Sequence, residues 1–255
     1  MGRRVGDDDG WTMKGICPQC NRELRLGTHW AKSSDCNHPE YNHKQNEFVK
    51  GLLMGDGYLR NKDKSKNPYF VVAVINEDFL HWLDTKFGVL THGVSIKSTV
   101  EQIEDRAERI SFGNGREGTY HDVYQLRFRS HPHFHNFTSW YDSGSKQFPK
   151  DIELTPEAVK MWYVCDGGLK WSTSWPSVEF YTKNELNNIE HWVERFQSLG
   201  FKCRASSEGF TIPHSELNGF FEWLGDAPDG FEYKWQHQDR EEYDKLKSEI
   251  YYNEK

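Results

Sequence analysis

Two aspartates occupy the same place in two copies of one pattern. Phe48-Val-Lys-Gly-Leu-Leu-Met-Gly-Asp-Gly-Tyr-Leu59 aligns without gaps on Ala158-Val-Lys-Met-Trp-Tyr-Val-Cys-Asp-Gly-Gly-Leu169, 110 residues later, so Asp56 and Asp166 share a register. Each copy reads as an apolar helix ending in Asp-Gly, with Gly57 and Gly167 suited to the left-handed turn that closes a helix. Thr155-Pro156-Glu157 is a cap followed by proline at the first helical position. A carboxylate at a helix C-terminus faces the negative end of the helix dipole. Something positive must offset it, and a divalent cation is the economical candidate. One Asp-Gly after a helix is ordinary turn chemistry; two in matched context are hard to obtain by chance.

A second set of metal-ligating residues lies upstream. Three of the five cysteines, Cys17, Cys20 and Cys36, fall within twenty residues. A Cys-x-x-Cys turn puts two thiolates on one side of a tight knuckle, as tetrahedral Zn²⁺ requires. Leu26 stands one helical turn before His29, where it can pack beneath a metal. Cys17, Cys20, His29 and Cys36 are the expected structural zinc ligands, with His38 the rival for the fourth place. The alternative is a pair of chance cysteines in a flexible arm. A redox Cys-x-x-Cys needs a βαβ setting, which this segment lacks. Cys165 and Cys203 sit in apolar patterns and read as core residues.

The elements that must position the aspartates also repeat. After Asp56 come a strand at Tyr69–Ile75 and a helix from Glu77 to about Phe87, carrying Phe79, Leu80, Leu83 and Phe87. Strands follow at Val94–Val100, Arg109–Phe112 and Val123–Arg129, then an aromatic helix at Phe134–Tyr141. After Asp166 come a strand at Val178–Thr182, a helix at Glu185–Leu199, strands at Lys202–Ser206 and Phe210–Ile212, and a helix at Ser215–Leu224. Each half thus reads helix, two strands, helix, two strands, helix, with an insertion near 101–120 in the first. Strand alternation separates Tyr124, Leu126 and Phe128 from Gln125, Arg127 and Arg129. Lys97, Lys202 and Arg204 lie in similar alternating stretches. Such cations are ordinarily the solvated side of half-buried strands.

Composition narrows the class. The chain has 255 residues and a formal charge of -7, which argues against a general-purpose basic nucleic-acid binder. The acidity is uneven: residues 220–255 hold ten acidic and five basic residues, leaving the remainder close to neutral and able to carry a basic face. Ten tryptophans exclude a disordered chain. There is no apolar run of membrane-spanning length and no apolar segment at the N-terminus, so the chain reads as a soluble, intracellular protein without membrane contact. The acidic tail, Asp239–Lys255, reads as a solvated helix with Tyr243, Leu246 and Ile250 on its inner face.

Gly51-Leu-Leu-Met-Gly-Asp-Gly57 resembles the LAGLIDADG motif of homing endonucleases, and Leu154 through Gly168 resembles the second motif of their single-chain branch. Phe148-Pro149 is similar to the linker of intron-encoded members, and Gly230-Phe-Glu-Tyr-Lys-Trp235 to their C-terminal ending. The resemblance covers about residues 45–237. It implies an α+β fold of two pseudo-symmetric αββαββα halves with antiparallel DNA-binding sheets, the motif helices packing at the pseudo-twofold axis. Small residues there are Gly51, Gly55 and Cys165, while Met161 replaces a glycine and loosens the expected contact. The domain expectation is a zinc module at 1–44, a first half at 45–150 and a second at 151–255.

The resemblance further implies a monomeric, site-specific double-strand DNA endonuclease making a staggered break. Asp56 and Asp166 would share Mg²⁺ with the backbone carbonyls of Gly55 and Cys165. A lysine or glutamine from each half would sit near the attacking water, with Lys183 the expectation in the second. Lys97, Gln125, Arg127, Arg129, Lys202 and Arg204 would face double-stranded DNA. The zinc module lies outside the resemblance; it is expected either to add flanking DNA contacts, with Arg22, Arg25, His29, Trp30 and Lys32 around it, or to be only a structural clip. The alternatives are a maturase that binds intron RNA and a catalytically inactive DNA-binding regulator.

Overall fold

The structure, a computed structural model, describes residues 14–60, 67–109, 120–172, 175–182 and 188–251, with side chains at 105–109 left aside. It opens with a short antiparallel pair, β1 (Gly15–Ile16) and β2 (Glu23–Leu24), and helix α1 (Leu26–Lys32). The first half follows as α2 (His43–Met54), β3 (Tyr58–Arg60), β4 (Tyr69–Val74), α3 (Glu77–Phe87), β5 (Thr91–Ser98), α4 (Val100–Arg109) and β6 (Val123–Phe128), then a 3-10 segment, Pro132–Tyr141. The second half is α5 (Pro156–Asp166), β7 (Gly167–Trp171), β8 (Pro176–Tyr181), α6 (Ile189–Ser198), β9 (Arg204–Ala205), β10 (Gly209–Ile212) and α7 (Leu217–Leu224). A 3-10 turn, Glu232–Trp235, and α8 (Arg240–Tyr251) complete the chain.

The two sheets have one topology. Their orders are β3-β4-β6-β5 and β7-β8-β10-β9, antiparallel throughout, so each half places its last strand third in the row. Alternation turns Phe70, Val72, Leu126 and Phe128 inward in the first sheet, and Leu169, Val178, Phe180, Phe210 and Ile212 in the second. Helices cover these faces: Phe79, Leu80, Leu83 and Phe87 of α3 are buried, as are Trp192 and Phe196 of α6. The buried residues of both halves form one continuous core. Tyr243 of α8 is buried in it, with Leu246 and Ile250 against it, as the tail's pattern anticipates.

Helices α2 and α5 join the halves. Their starts are well specified: Asn42 and Gln45 form a reciprocal capping box, and the Thr155 hydroxyl accepts from the Ala158 N–H. The buried Glu47 carboxylate ties the starts together, accepting from the Thr155 hydroxyl at 2.8 Å and pairing with Lys50. Along the contact each small residue faces its own counterpart, the signature of a twofold axis. A Cβ on Gly51 would lie 2.0 Å from the Ala158 carbonyl oxygen and 2.7 Å from Met161 Cβ; one on Gly55 would lie 2.2 Å from Cys165 Cβ. Met161 therefore does not loosen the contact, because the absent side chain of Gly51 makes room for it.

Other expectations need correction. Gly57 and Gly167 do not adopt a left-handed turn; Gly167 has φ -102 and ψ 161, and neither has positive φ. They are glycines because a Cβ would strike the Phe70 ring in one case and the Tyr163 ring in the other. Arg109 ends helix α4 rather than beginning a strand, and residues 110–112 lie outside the described residues. Val100 starts that helix by donating its N–H to Asp122 at 2.8 Å. The aromatic segment after β6 is 3-10, with proline at its start.

The close approach at Gly51 yields a stability test. Gly51→Ala should destabilise by about 2 kcal/mol or more, lowering Tm by roughly 4–8 °C, because the methyl meets backbone rather than a movable side chain. Gly219→Ala, on an exposed helix position with nothing within 4 Å of the new methyl, should leave Tm unchanged or raise it. Equal melting of Gly51→Ala and wild type would refute the packing assignment.

Candidate active site and metal centre

Where α2 and α5 end, Asp56 and Asp166 meet across the axis. Helix α2 closes with the Gly55 N–H donating to Gly51 and Leu52, and the Gly57 N–H donating to Leu52 at 2.7 Å. Asp56 then stands exposed and Asp166 half-buried. Burial, then the neighbouring Asp56 charge, pushes the Asp166 carboxyl up to about 7. Although Asp56 still meets solvent, partial desolvation by the surrounding protein raises it too, against the pull of Lys234 and Lys146. Cys165 is not a plain core residue. It lies against Gly55 between the carboxylates, and burial together with their charge holds it as a neutral thiol.

Two lysines complete the site, one from each half. Lys146 Nζ donates to the carbonyl oxygens of Gly55 and, at 3.0 Å, Gly57. Lys234 Nζ, buried, donates to Val164 and Gly167 at 2.6 Å each and to Tyr163 at 3.3 Å. These ammonium groups supply the positive charge that helix C-termini carrying carboxylates require. Burial lowers Lys234 to about 8, with Cys165 and both aspartates opposing. Lys183, expected in this role, lies outside the described residues.

The lysines leave a signal in the sequence after all. Asp56 precedes Lys146 by 90 residues and Asp166 precedes Lys234 by 68. The excess of 22 nearly matches the longer β5–β6 connection, 24 residues (99–122) against three (206–208). Correcting for the insertion aligns them.

The outward faces of the sheets divide the expected nucleic-acid contacts. Gln125 and Arg127 face outward on β6, and Lys97 is exposed on β5. They are joined by residues sequence reasoning did not single out. Tyr58 lies beneath Arg60 at 4.9 Å and Lys97 at 6.0 Å, and Tyr69 beneath Arg127 at 5.9 Å. Arg129 is not on this face. It is buried and donates to the Val89 carbonyl at 2.9 Å, with His92 beside it, because the alternation stops where β6 ends. In the second sheet Arg204 is exposed opposite Thr211, while Lys202 precedes β9 and pairs with Glu216 at 3.4 Å. Lys170 and the buried Glu179, 3.1 Å apart, face outward on β7 and β8.

The N-terminal cysteines converge. The ligand atoms of Cys17, Cys20, His29 and Cys36 all lie within 4.8 Å of one another, a set able to hold a metal ion. Beneath them Leu26 and Trp30 are buried with Cys17 and Cys36. Burial works against it, but the N–H groups of Cys20 and Gln19 bring the Cys17 thiol down to about 6. Burial and the neighbouring sulfurs push Cys36 up. His38 stands outside the cluster, its ring 4.9 Å from His131. It belongs to the seam where the module meets the first half. There His131 Nε2 donates to the Pro39 carbonyl at 2.9 Å, and Tyr41 stacks on His133 at 4.4 Å. Cys203 is an ordinary core thiol that donates to the Val193 carbonyl.

Comparison with known proteins agrees with this architecture. The solved structure of the homing endonuclease I-WcaI bound to its DNA recognition sequence superposes with a TM-score of 0.66 at 14% identity, covering 84% of this chain and 93% of that one. The meganuclease I-SmaMI bound to uncleaveable DNA gives 0.44 at 15% identity, covering 79% and 97%. No curated protein sequence matches. The likeness to I-WcaI establishes the fold, two pseudo-symmetric halves with paired antiparallel sheets. Residues 46–213, containing both Asp-Gly motifs and both sheets, match a single family, and the chain belongs to the LAGLIDADG DNA endonuclease family.

Proposed function

We propose that this protein is a site-specific endonuclease that hydrolyses both strands of duplex DNA at a long target, leaving a staggered break. The observation that carries the reading is the pairing of Asp56 with Asp166 at two helix ends, each end braced by a lysine of its own half. The cation-over-tyrosine face of the first sheet and the DNA-bound state of the relative I-WcaI support duplex DNA as the substrate. Sheets of this spacing can present side chains to base edges in the major groove.

Two carboxylates raised by burial, one of them further by the charge of the other, suit a divalent cation, and Mg²⁺ fits oxygen donors of this kind. Asp56 and Asp166 would hold it with the carbonyl oxygens of Gly55 and Cys165; the second lone pair of Gly55 remains for the metal while Lys146 takes the first. When bound, the cation lowers the pKa of a water and stabilises charge on the phosphate. Lys234 has three donors and three carbonyl acceptors, so it acts as a positioning residue that fixes the helix end rather than as a base. The Cys17, Cys20, His29 and Cys36 set suits Zn²⁺, closed and structural.

The direct test is incubation with a random duplex library and Mg²⁺, followed by sequencing of the new ends. One extended motif cut with a constant stagger is expected. Asp56→Asn and Asp166→Asn should each lower double-strand cleavage by about 10³-fold or more while duplex binding persists. Undiminished cutting by either variant rules out the shared site, and retention of intron RNA without DNA cleavage would favour a maturase.

Titration gives a second check. Asp166 holds its proton up to about pH 7 in the folded state against an ordinary value of 3.8, so it favours folding at low pH and that contribution is lost as pH rises through 7. Without added Mg²⁺, Asp166→Asn should therefore raise Tm above pH 7 and leave it unchanged near pH 4. A pH-independent difference would contradict the assignment. For the module, wild-type protein should carry one equivalent of zinc by elemental analysis. Cys17→Ser/Cys20→Ser should lose it and melt lower, and a metal-free wild type would overturn the zinc assignment.

A further inference from the structure

The N-terminal module carries an open cavity of about 440 Å³ beside its metal-ligand cluster. Its walls include Arg22, Arg25 and Lys32, with the hydroxyls of Thr28, Ser33 and Ser34, and no carboxylate of the described residues lines it. Asp35, next to Ser34 in sequence, is engaged by the Ser34 hydroxyl at 3.0 Å, and Glu23, between Arg22 and Leu24, is exposed on β2 outside the lining. A concentration of three cations is unexpected in a chain of net charge -7. The charge is segregated. The cavity of about 470 Å³ between α3, the Glu232–Trp235 turn and α8 is lined by Asp78, Asp229, Glu232 and Glu249, which would repel a polyanion.

We propose that the Arg22–Arg25–Lys32 cavity binds the phosphate backbone of duplex DNA flanking the target on the side held by the first half. Guanidinium and ammonium groups with hydroxyl donors match phosphate oxygens and read no base edge. Trp30 is buried, so the cavity offers no stacking platform of the kind single-stranded nucleic acid uses. The module is seated on the first half through His131 with Pro39, Tyr41 with His133, and Gly15 beside Arg129, which fixes the arm it would hold. The expected contact of Trp30 falls away, since it is core, while His29 lines the cavity as a member of the ligand cluster.

This inference rests on the endonuclease reading for its duplex, and its test separates the two. Arg22 is left intact because its side chain also donates to the Cys20 sulfur. Arg25 sits at the start of α1 without a side-chain capping bond and Lys32 is exposed, so Arg25→Gln/Lys32→Gln should keep the module's zinc and Tm. Binding of full-length protein to a mixed-sequence duplex is read by fluorescence anisotropy across a salt series. The double variant should lose about 1 to 2 units of the slope of log affinity against log salt, and bind about tenfold more weakly at 0.1 M. Its exonuclease footprint on the recovered target should shorten on the first half's side alone. Wild-type slope and footprint in a zinc-loaded variant would overturn the inference while leaving the nuclease reading standing. A reduced slope without any cleavage by wild type would sustain the inference and sink the nuclease. Failure of the wild type to bind duplex would remove both.

Discussion

The structure turns on one electrostatic conflict, two carboxylates placed together at the negative ends of two helices. Burial raises both Asp56 and Asp166, and the Asp56 charge raises Asp166 further. The chain answers the conflict itself. Lys146 and Lys234 come from segments that follow the last strand of each half and return to the helix ends, where they grip the final carbonyls. A buried lysine left without acceptors would be strongly unfavourable, so Lys234 and the helix end stabilise one another. The long-range loop closure in each half thus serves the site directly.

Close helix contact is the second constraint, and it follows from the first. The carboxylates can share a ligand only if their helices nearly touch, which requires Gly51 and Gly55 opposite Met161 and Cys165. Burying that contact welds the halves into one core, so the sheets cannot swing independently. Their outer faces are held in fixed relation to the aspartates. The proposed chemistry at the axis and the proposed recognition on the strands would consequently be set by the same packing.

Much of this was legible in the sequence because the repeat carries it. The matched Asp-Gly pairs, the strand and helix periodicities, and the spacing of Cys17, Cys20, His29 and Cys36 are local patterns, and each fixes local geometry. What escaped was long-range. Lys146 and Lys234 lie far from the aspartates in the chain and became alignable only when the α4 insertion was discounted. The dipole argument asked for a positive charge and suggested a metal, whereas lysines provide that charge already. Arg129 continued an alternation past the end of its strand and turns inward to the Val89 carbonyl. Gly57 and Gly167 were read for backbone freedom, while their need is space beside Phe70 and Tyr163. Sequence pattern reports which residue is small, not which neighbour demands it.

The most direct measurement is the location of the divalent ion in crystals grown with bound duplex and Mn²⁺, read from its anomalous scattering. Ion density within coordinating reach of both Asp56 and Asp166, next to a backbone phosphate, is the predicted result. Density elsewhere, or ions that touch neither carboxylate while the duplex is seated on the sheets, would contradict the shared site on which the proposed function depends.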